Sequence, residues 1–322
     1  MPCPLRFNFM ALRPSILRTI AYFDLFNYPL TREDVRNFLD IDAGEEEIAH
    51  ELAALTREGC LFRLESYYSL RNDLSLAEKR HRGEAHADEL LRIAARGARL
   101  LYRFPYVRGI CISGSLSKRC ADENADIDYF VITKGGRLWI ARTFMHLFKK
   151  FTYLRGHQHR YCMNYYVDEE ALEIKEQNFF TAVELLTLMP ACGNGGLVKF
   201  FGANEWTSLY LPHYRDRRRE AEGTYRSSLL KKSLELLFNN RLGNALEDHL
   251  RRLTDSRWKK KTSRGYRNLK GDPMTLQCGP HYSRPDPGIF QERILHSYQR
   301  KVKETAARWG EMSATIPSSS TK

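Results

Sequence analysis

"VRGICISGSLSKRCADENADIDYFVIT", residues 107–133, decides how this chain is read. Two apolar runs, "VRGICIS" and "DIDYFVIT", flank a polar stretch that opens on Gly114-Ser115 and closes on Asp126-Ile127-Asp128. Short runs rich in β-branched and aromatic residues, bounded by a Gly-Ser turn, predict two buried strands. Side chains alternate across a strand, so the pattern puts Asp126 and Asp128 on one face and Ile127 with Tyr129 on the other. Two neighbouring carboxylates repel unless a cation lies between them, and a hard divalent ion such as Mg²⁺ suits oxygen ligands. The Gly-Ser pair is the complement: glycine lets the backbone approach a ligand closely, and exposed N–H groups with the Ser115 hydroxyl suit phosphate oxygens. Lys118 and Arg119 are placed to meet further phosphate charge. The plainer alternative is an Asp-x-Asp that caps a turn and pairs with those two cations on the surface.

Working outward, "EAHADELLRIAARGARLLYRF" (84–104) repeats Leu90, Ala94, Ala98 and Leu101 at helical spacing and stops at Pro105. After the turn "KGG", a helix is expected over about 137–151 and a third strand over "RYCMNYYV" (160–167). "NFFTAVELLTLMP" (178–190) reads as a buried helix stopped by Pro190. The order predicts a mixed sheet with the polar motif at its strand ends.

An apolar strand, Gly-Ser, an intervening stretch, and then Asp-apolar-Asp-apolar resembles the signature of the DNA polymerase β-type nucleotidyltransferase superfamily. It is carried here by Ile112, Gly114, Ser115, Asp126, Ile127, Asp128 and Tyr129, within a likeness covering about 75–215. The resemblance implies Mg²⁺- (or Mn²⁺-) dependent transfer of a nucleoside monophosphate from an NTP to an acceptor hydroxyl. It implies Asp126 and Asp128 as catalytic, metal-binding acids, and Gly114, Ser115 and Lys118 as nucleotide-binding residues. The acceptor, whether nucleic acid, protein or small molecule, is not written in the motif. The superfamily usually carries a third carboxylate on a neighbouring strand. Alternation on "YCMNYYVDEE" offers Asn164 at mid-strand and Asp168 near the strand end, either of which also reads as a structural or turn residue. A neutral amide there leaves a second reading open: a nucleotide-binding regulatory or scaffold protein without turnover.

The first 80 residues have a different character. They carry 10 Lys/Arg against 13 Asp/Glu, in a chain whose net charge is +12. "SILRTIAYFDLFNYPL", "LTREDVRNFLD" and "DAGEEEIAHELAALTREG" predict three short helices, with Thr31 and Asp42 as N-caps and Ile48, Leu52 and Leu55 as a buried stripe. "CLFRLESYYSLR" predicts a hairpin turning at Glu65 and Ser66. Three helices and a hairpin resemble a winged helix-turn-helix domain. Its third helix carries Glu45, Glu46, Glu47, Glu51 and Glu58 against Arg57, a surface that repels phosphates, so a protein partner or a spacer role is favoured over DNA reading.

Late in the chain the balance reverses: residues 211–270 carry 17 Lys/Arg against 7 Asp/Glu, a surface for a polyanion or simply a solvated helix face. Leu229, Leu230, Leu234, Leu237 and Phe238 predict a helix, Gly243 a bend, and 291–308 a final helix, whereas "KGDPMTLQCGPHYSRPDPGIF" reads as an ordered loop or linker. The expectation is an α+β protein: a nucleotidyltransferase-type mixed sheet flanked by helices (75–215), preceded by a winged helix (14–72). A helical region (216–312) and a disordered tail (313–322) follow.

Seven scattered cysteines without a C-x-x-C pair disfavour a disulfide framework or zinc knuckle. With no secretory signal and no apolar run long enough to span a bilayer, the expected address is cytoplasmic, with no membrane partner. His157 and His159 alternate, but as a pre-strand turn they lack a third ligand. Trp206 and its aromatic neighbours read as a core plug before a base platform.

Overall fold

The computed structural model describes residues 12–122, 125–153, 160–193, 195–214, 229–265, 267, 275–285 and 287–309. His157, His159 and the tail 313–322 lie outside them. It is an α+β structure in which the described residues form eleven helices, a six-stranded mixed sheet and a two-stranded hairpin. None of these helices is long and apolar enough to cross a membrane.

The N-terminal elements follow the residues that cap them. α1 (Leu12–Asp24) leads to α2 (Arg32–Asn37), where Thr31 and Asp34 close a reciprocal capping box at 3.0 Å in each direction. α3 (Glu45–Arg57) starts at Gly44 and not at the expected Asp42 cap, because the Glu47 carboxylate reaches back to the Gly44 N–H at 2.9 Å. Its buried stripe is Ile48, Leu52 and Leu55. β1 (Phe62–Leu64) and β2 (Tyr67–Ser69) turn at Glu65 and Ser66 as read from the sequence, and Leu30 adds a bridge to Tyr68.

The main sheet contains β3 (Val107–Ser113), β4 (Asp128–Thr133), β5 (Cys162–Asp168), β6 (Met189–Gly193), β7 (Leu276–Cys278) and β8 (Tyr282–Pro285), in the order β6-β3-β4-β5-β8-β7. Only β4 and β5 are parallel, and α6 (Leu138–Tyr153) provides the crossover that such a pair needs. Tyr129 and Val131 face one layer, with α4 (Ser75–Leu101) and α6. Phe130 and Ile132 face the other, with α7 (Phe179–Leu186) and α8 (Gly195–Ala203).

Three strands depart from the sequence reading. Pro190 does not merely stop a helix; it lies in β6, opposite Cys111 beside a register irregularity, on an edge strand where a proline is tolerated. The Pro- and Gly-rich stretch expected as loop contains β7 and β8, which extend the sheet beyond β5. Both are too short for a period-2 pattern to stand out.

The expected modules also share a core. Ile16, Ile20 and Leu52 belong to the same buried cluster as Phe179 and Val183 of α7 and Tyr298 and Val302 of α11 (Pro287–Trp309). In the C-terminal region, α9 (Leu229–Leu237) and α10 (Arg241–Ser263) separate at Asn240, which caps α10 by accepting from the Gly243 N–H at 3.0 Å. The break thus precedes Gly243.

Candidate functional site

β3 ends, and α5 (Gly114–Ser117) begins, at Gly114, whose φ is +72°. That backbone suits glycine, and the space enforces it: a Cβ here would lie 2.6 Å from Asp128 Oδ2. Ser113 pairs with Asp128 across the ladder, so the Gly-Ser bend and the first residue of β4 converge on one point. The two halves of the sequence motif meet there.

A cleft of about 710 Å³ opens at this point, within the size range of small-molecule sites. Gly114, Ser115, Lys118, Asp128 and Asn164 contribute to its polar lining. Tyr22, Phe23, Phe26 and Tyr28 of the N-terminal module line another wall, with Phe180 and Phe290 beyond. The Tyr28 hydroxyl donates to the Lys118 carbonyl at 2.6 Å, tying that module to the motif loop. Lys118 Nζ bonds the Gly114 carbonyl at 3.3 Å and the Glu184 carboxylate at 2.9 Å.

Asp128 is short of good partners. Burial, with the negative charges of Asp126 and Glu184 beside it, pushes its carboxyl up to about 6, against the lowering effects of a Cys162 hydrogen bond and Lys149. Burial and the Asp128 charge push the Cys162 thiol up to about 12, so it stays a neutral donor. Asp126 is exposed, lies two residues before β4 and does not line the cleft. The pair is coupled by charge, but only Asp128 faces the cavity.

The proposed third position resolves through a bulge. Tyr129 pairs with Met163 but Phe130 with Tyr165, leaving Asn164 as the extra residue on β5. The slip reverses the alternation read from the sequence: Cys162 and Tyr165 face with Asp128, while Tyr166 turns to the opposite layer. Asn164 reaches the cleft. Asp168 does not, being six residues beyond Cys162, or about 20 Å at the rise of a strand. It is fully buried and accepts from the backbone N–H groups of Gly136 and Glu170 and from His281 Nδ1, all at 3.0 Å. With Glu170 and His281 it forms an acid–imidazole cluster whose ligand atoms lie within 4.8 Å of one another, distant from the motif. Its protein donors account for it as the clamp on the turn before α6.

Several cleft residues were not singled out in the sequence. Glu184 is a lone acid in an otherwise apolar helix, which is a weak signal. Arg284 forks onto Glu176 and donates to the Tyr165 hydroxyl at 3.0 Å, holding the Glu176 carboxyl below its ordinary range. Nothing local in "HYSRPDPG" marks that role. The oxygen donors of Asp128, Asn164 and Glu184, with the Asp126 charge nearby, suit a hard divalent cation in chemistry and charge. Comparison with known proteins found no matching family model, curated protein or solved structure.

Proposed function

We propose that the cleft binds a nucleoside triphosphate with a divalent cation and passes its nucleoside monophosphate to an acceptor hydroxyl. The carrying observation is the approach of Gly114 to Asp128, so close that no side chain fits between them. This is the juxtaposition that the nucleotidyltransferase signature requires of its Gly-Ser bend and strand acid. On this reading the mixed sheet is a nucleotidyltransferase core and the three helices with their hairpin are a winged-helix module.

Gly114 and Ser115 offer backbone and hydroxyl donors to phosphate oxygens, and Lys118 exchanges Glu184 for phosphate when nucleotide enters. Asp128, with Asn164 and Glu184 and with the Asp126 charge nearby, would hold Mg²⁺ or Mn²⁺, which would supply charge neutralisation on the triphosphate and a more acidic acceptor hydroxyl. Phe26, Tyr28, Phe180 and Phe290 give the base and acceptor apolar surfaces to stack on. The N-terminal module therefore serves as a cleft wall. Its α3 presents Glu45, Glu46 and Glu47 to solvent for a protein partner, while Glu51 and Glu58 are occupied by Arg13 at 2.7 and 2.6 Å.

Asn164 and Cys162 favour a second reading, because they stand beside Asp128 where an acid would support the activating cation. That reading is a nucleotide-binding regulatory protein without turnover. Incubation with each labelled NTP, Mg²⁺ and a panel of acceptor hydroxyls separates the two. Transfer by the wild type that disappears in Asp128→Asn supports the enzyme; retained nucleotide binding without transfer or pyrophosphate release supports the second reading, and neither binding nor transfer overturns both.

A further inference from the structure

The layer opposite the cleft holds a group of polar side chains with no evident task. α6 carries Arg142 and His146 one turn apart, facing the sheet. Register aligns three more residues beneath them: Tyr166 opposite Ser283, and Ser283 opposite Cys278, across β5, β8 and β7. Arg251 of α10, a helix packed on α6 and β7, is near enough to Cys278 to act on its thiol electrostatically, as Arg142 does. Among the described residues, six buried side-chain polar atoms have no hydrogen-bond partner. Five belong here: Arg142 Nε, His146 Nε2, Tyr166 OH, Arg251 Nε and Ser283 Oγ. Clustered orphan atoms indicate a shared missing partner.

The chemistry of the atoms defines that partner. A guanidinium has only donors and keeps its charge, so Arg142 and Arg251 require an acceptor. Two hydroxyls and an imidazole can donate alongside them. Arg142 is 9% exposed, and the rings of Trp139 and Tyr166, 5.5 and 5.9 Å from its ζ-carbon, offer cation–π attraction but no counter-charge. Nearby carboxylates are engaged elsewhere. Glu247 accepts from the Trp139 and Ile140 N–H groups, Asp255 pairs with Lys259 at 2.8 Å, and Asp248 pairs with Arg251 Nη2 at 3.6 Å, which among the described residues leaves Arg142 as the charge here without a carboxylate. A buried positive charge without a partner is costly, and water cannot neutralise it.

We propose that this polar layer between α6 and the β5–β8–β7 edge binds one small tetrahedral oxyanion of the phosphate type. The His146 and Tyr166 ring centroids are 6.3 Å apart and the Arg142 ζ-carbon is 5.9 Å from the Tyr166 ring, so the three groups adjoin one another. Arg251, 30% exposed at its side chain, and half-buried Cys278 of the edge strand β7 form the side from which an ion would enter. Tyr166 and Val131 share this layer while Asp128 and Phe130 face the other, so the site is separate from the nucleotide cleft.

The test is thermal unfolding and isothermal titration of the full chain with inorganic phosphate, at ionic strength held constant with chloride. The expected result is a saturable rise in Tm with one site per chain, kept in Lys118→Ala and abolished in Arg142→Met. Arg142→Met should unfold no earlier than wild type in phosphate-free buffer, since it removes an uncompensated charge. Tyr166→Phe and Ser283→Ala should each weaken phosphate binding severalfold and keep the fold. The inference is overturned if phosphate gives no saturable response. It is overturned equally if the response survives Arg142→Met and vanishes in Lys118→Ala, or if Tyr166→Phe and Ser283→Ala bind phosphate as tightly as wild type.

Discussion

Asp128 and Asp168 are both acids on adjacent parallel strands, and the fold treats them in opposite ways. Asp168 is sealed from solvent with protein donors on both oxygens, two of them backbone N–H groups that fix a turn. Asp128 is half-buried beside other negative groups, has a weak thiol donor from Cys162, and faces an open cleft. An acid whose partners are all internal belongs to the architecture. An acid held at a functional cost, with room beside it, belongs to a site. On the proposed reading, that cost keeps a carboxylate ready for a cation.

Substitution should separate the two most sharply. Asp128→Asn is expected to lower nucleotidyl transfer by about 10³–10⁴-fold, about 4–5.5 kcal/mol of transition-state stabilisation, with the folded state at least as stable at pH 7. Steady-state transfer and urea unfolding on the same preparation check both halves. Asp168→Ala should do the reverse, costing about 3–5 kcal/mol of stability by orphaning His281 and two backbone donors. Equal loss of stability in the two variants would erase the contrast.

The pH response sharpens it further. Asp128 stands at about 6 in the folded protein against an ordinary value of 3.8, so its ionisation opposes folding. Its contribution to stability is full below the ordinary value and is lost as pH rises through about 6, a decline of about 3 kcal/mol. Urea unfolding from pH 4 to 7 should show that decline in the wild type and lack it in Asp128→Asn. Divalent-cation affinity should run the other way, rising up to about pH 6 and levelling above it. A smaller effect is expected at the bend: Gly114→Ala should cost about 2 kcal/mol, from the left-handed backbone and the collision with Asp128, and should weaken nucleotide binding.

The difference between the acids was half legible in the sequence. Gly114, Ser115 and Asp128 are close along the chain and joined by a hairpin-like connection, so alternation and turn chemistry bring them together. The Thr31 cap, the Glu65-Ser66 turn and the Ile48–Leu52–Leu55 stripe are equally local, and they appear as read. Asp168 misled because alternation was carried across Asn164, where one extra residue reverses the faces of β5. Glu184, Arg284 and the α1 aromatics escaped notice because only tertiary packing brings them to the cleft. β6, β7 and β8 were hidden by length and by proline, which edge positions tolerate.

Isothermal titration of a non-hydrolysable NTP in the presence and absence of Mg²⁺, on wild type and Asp128→Asn, tests the central claim most directly. The account predicts saturable, Mg²⁺-dependent binding of at least one NTP to the wild type, weakened by about tenfold or more in the variant. Failure of all four NTPs to bind, or equal Mg²⁺-dependent affinity in both proteins, would contradict it.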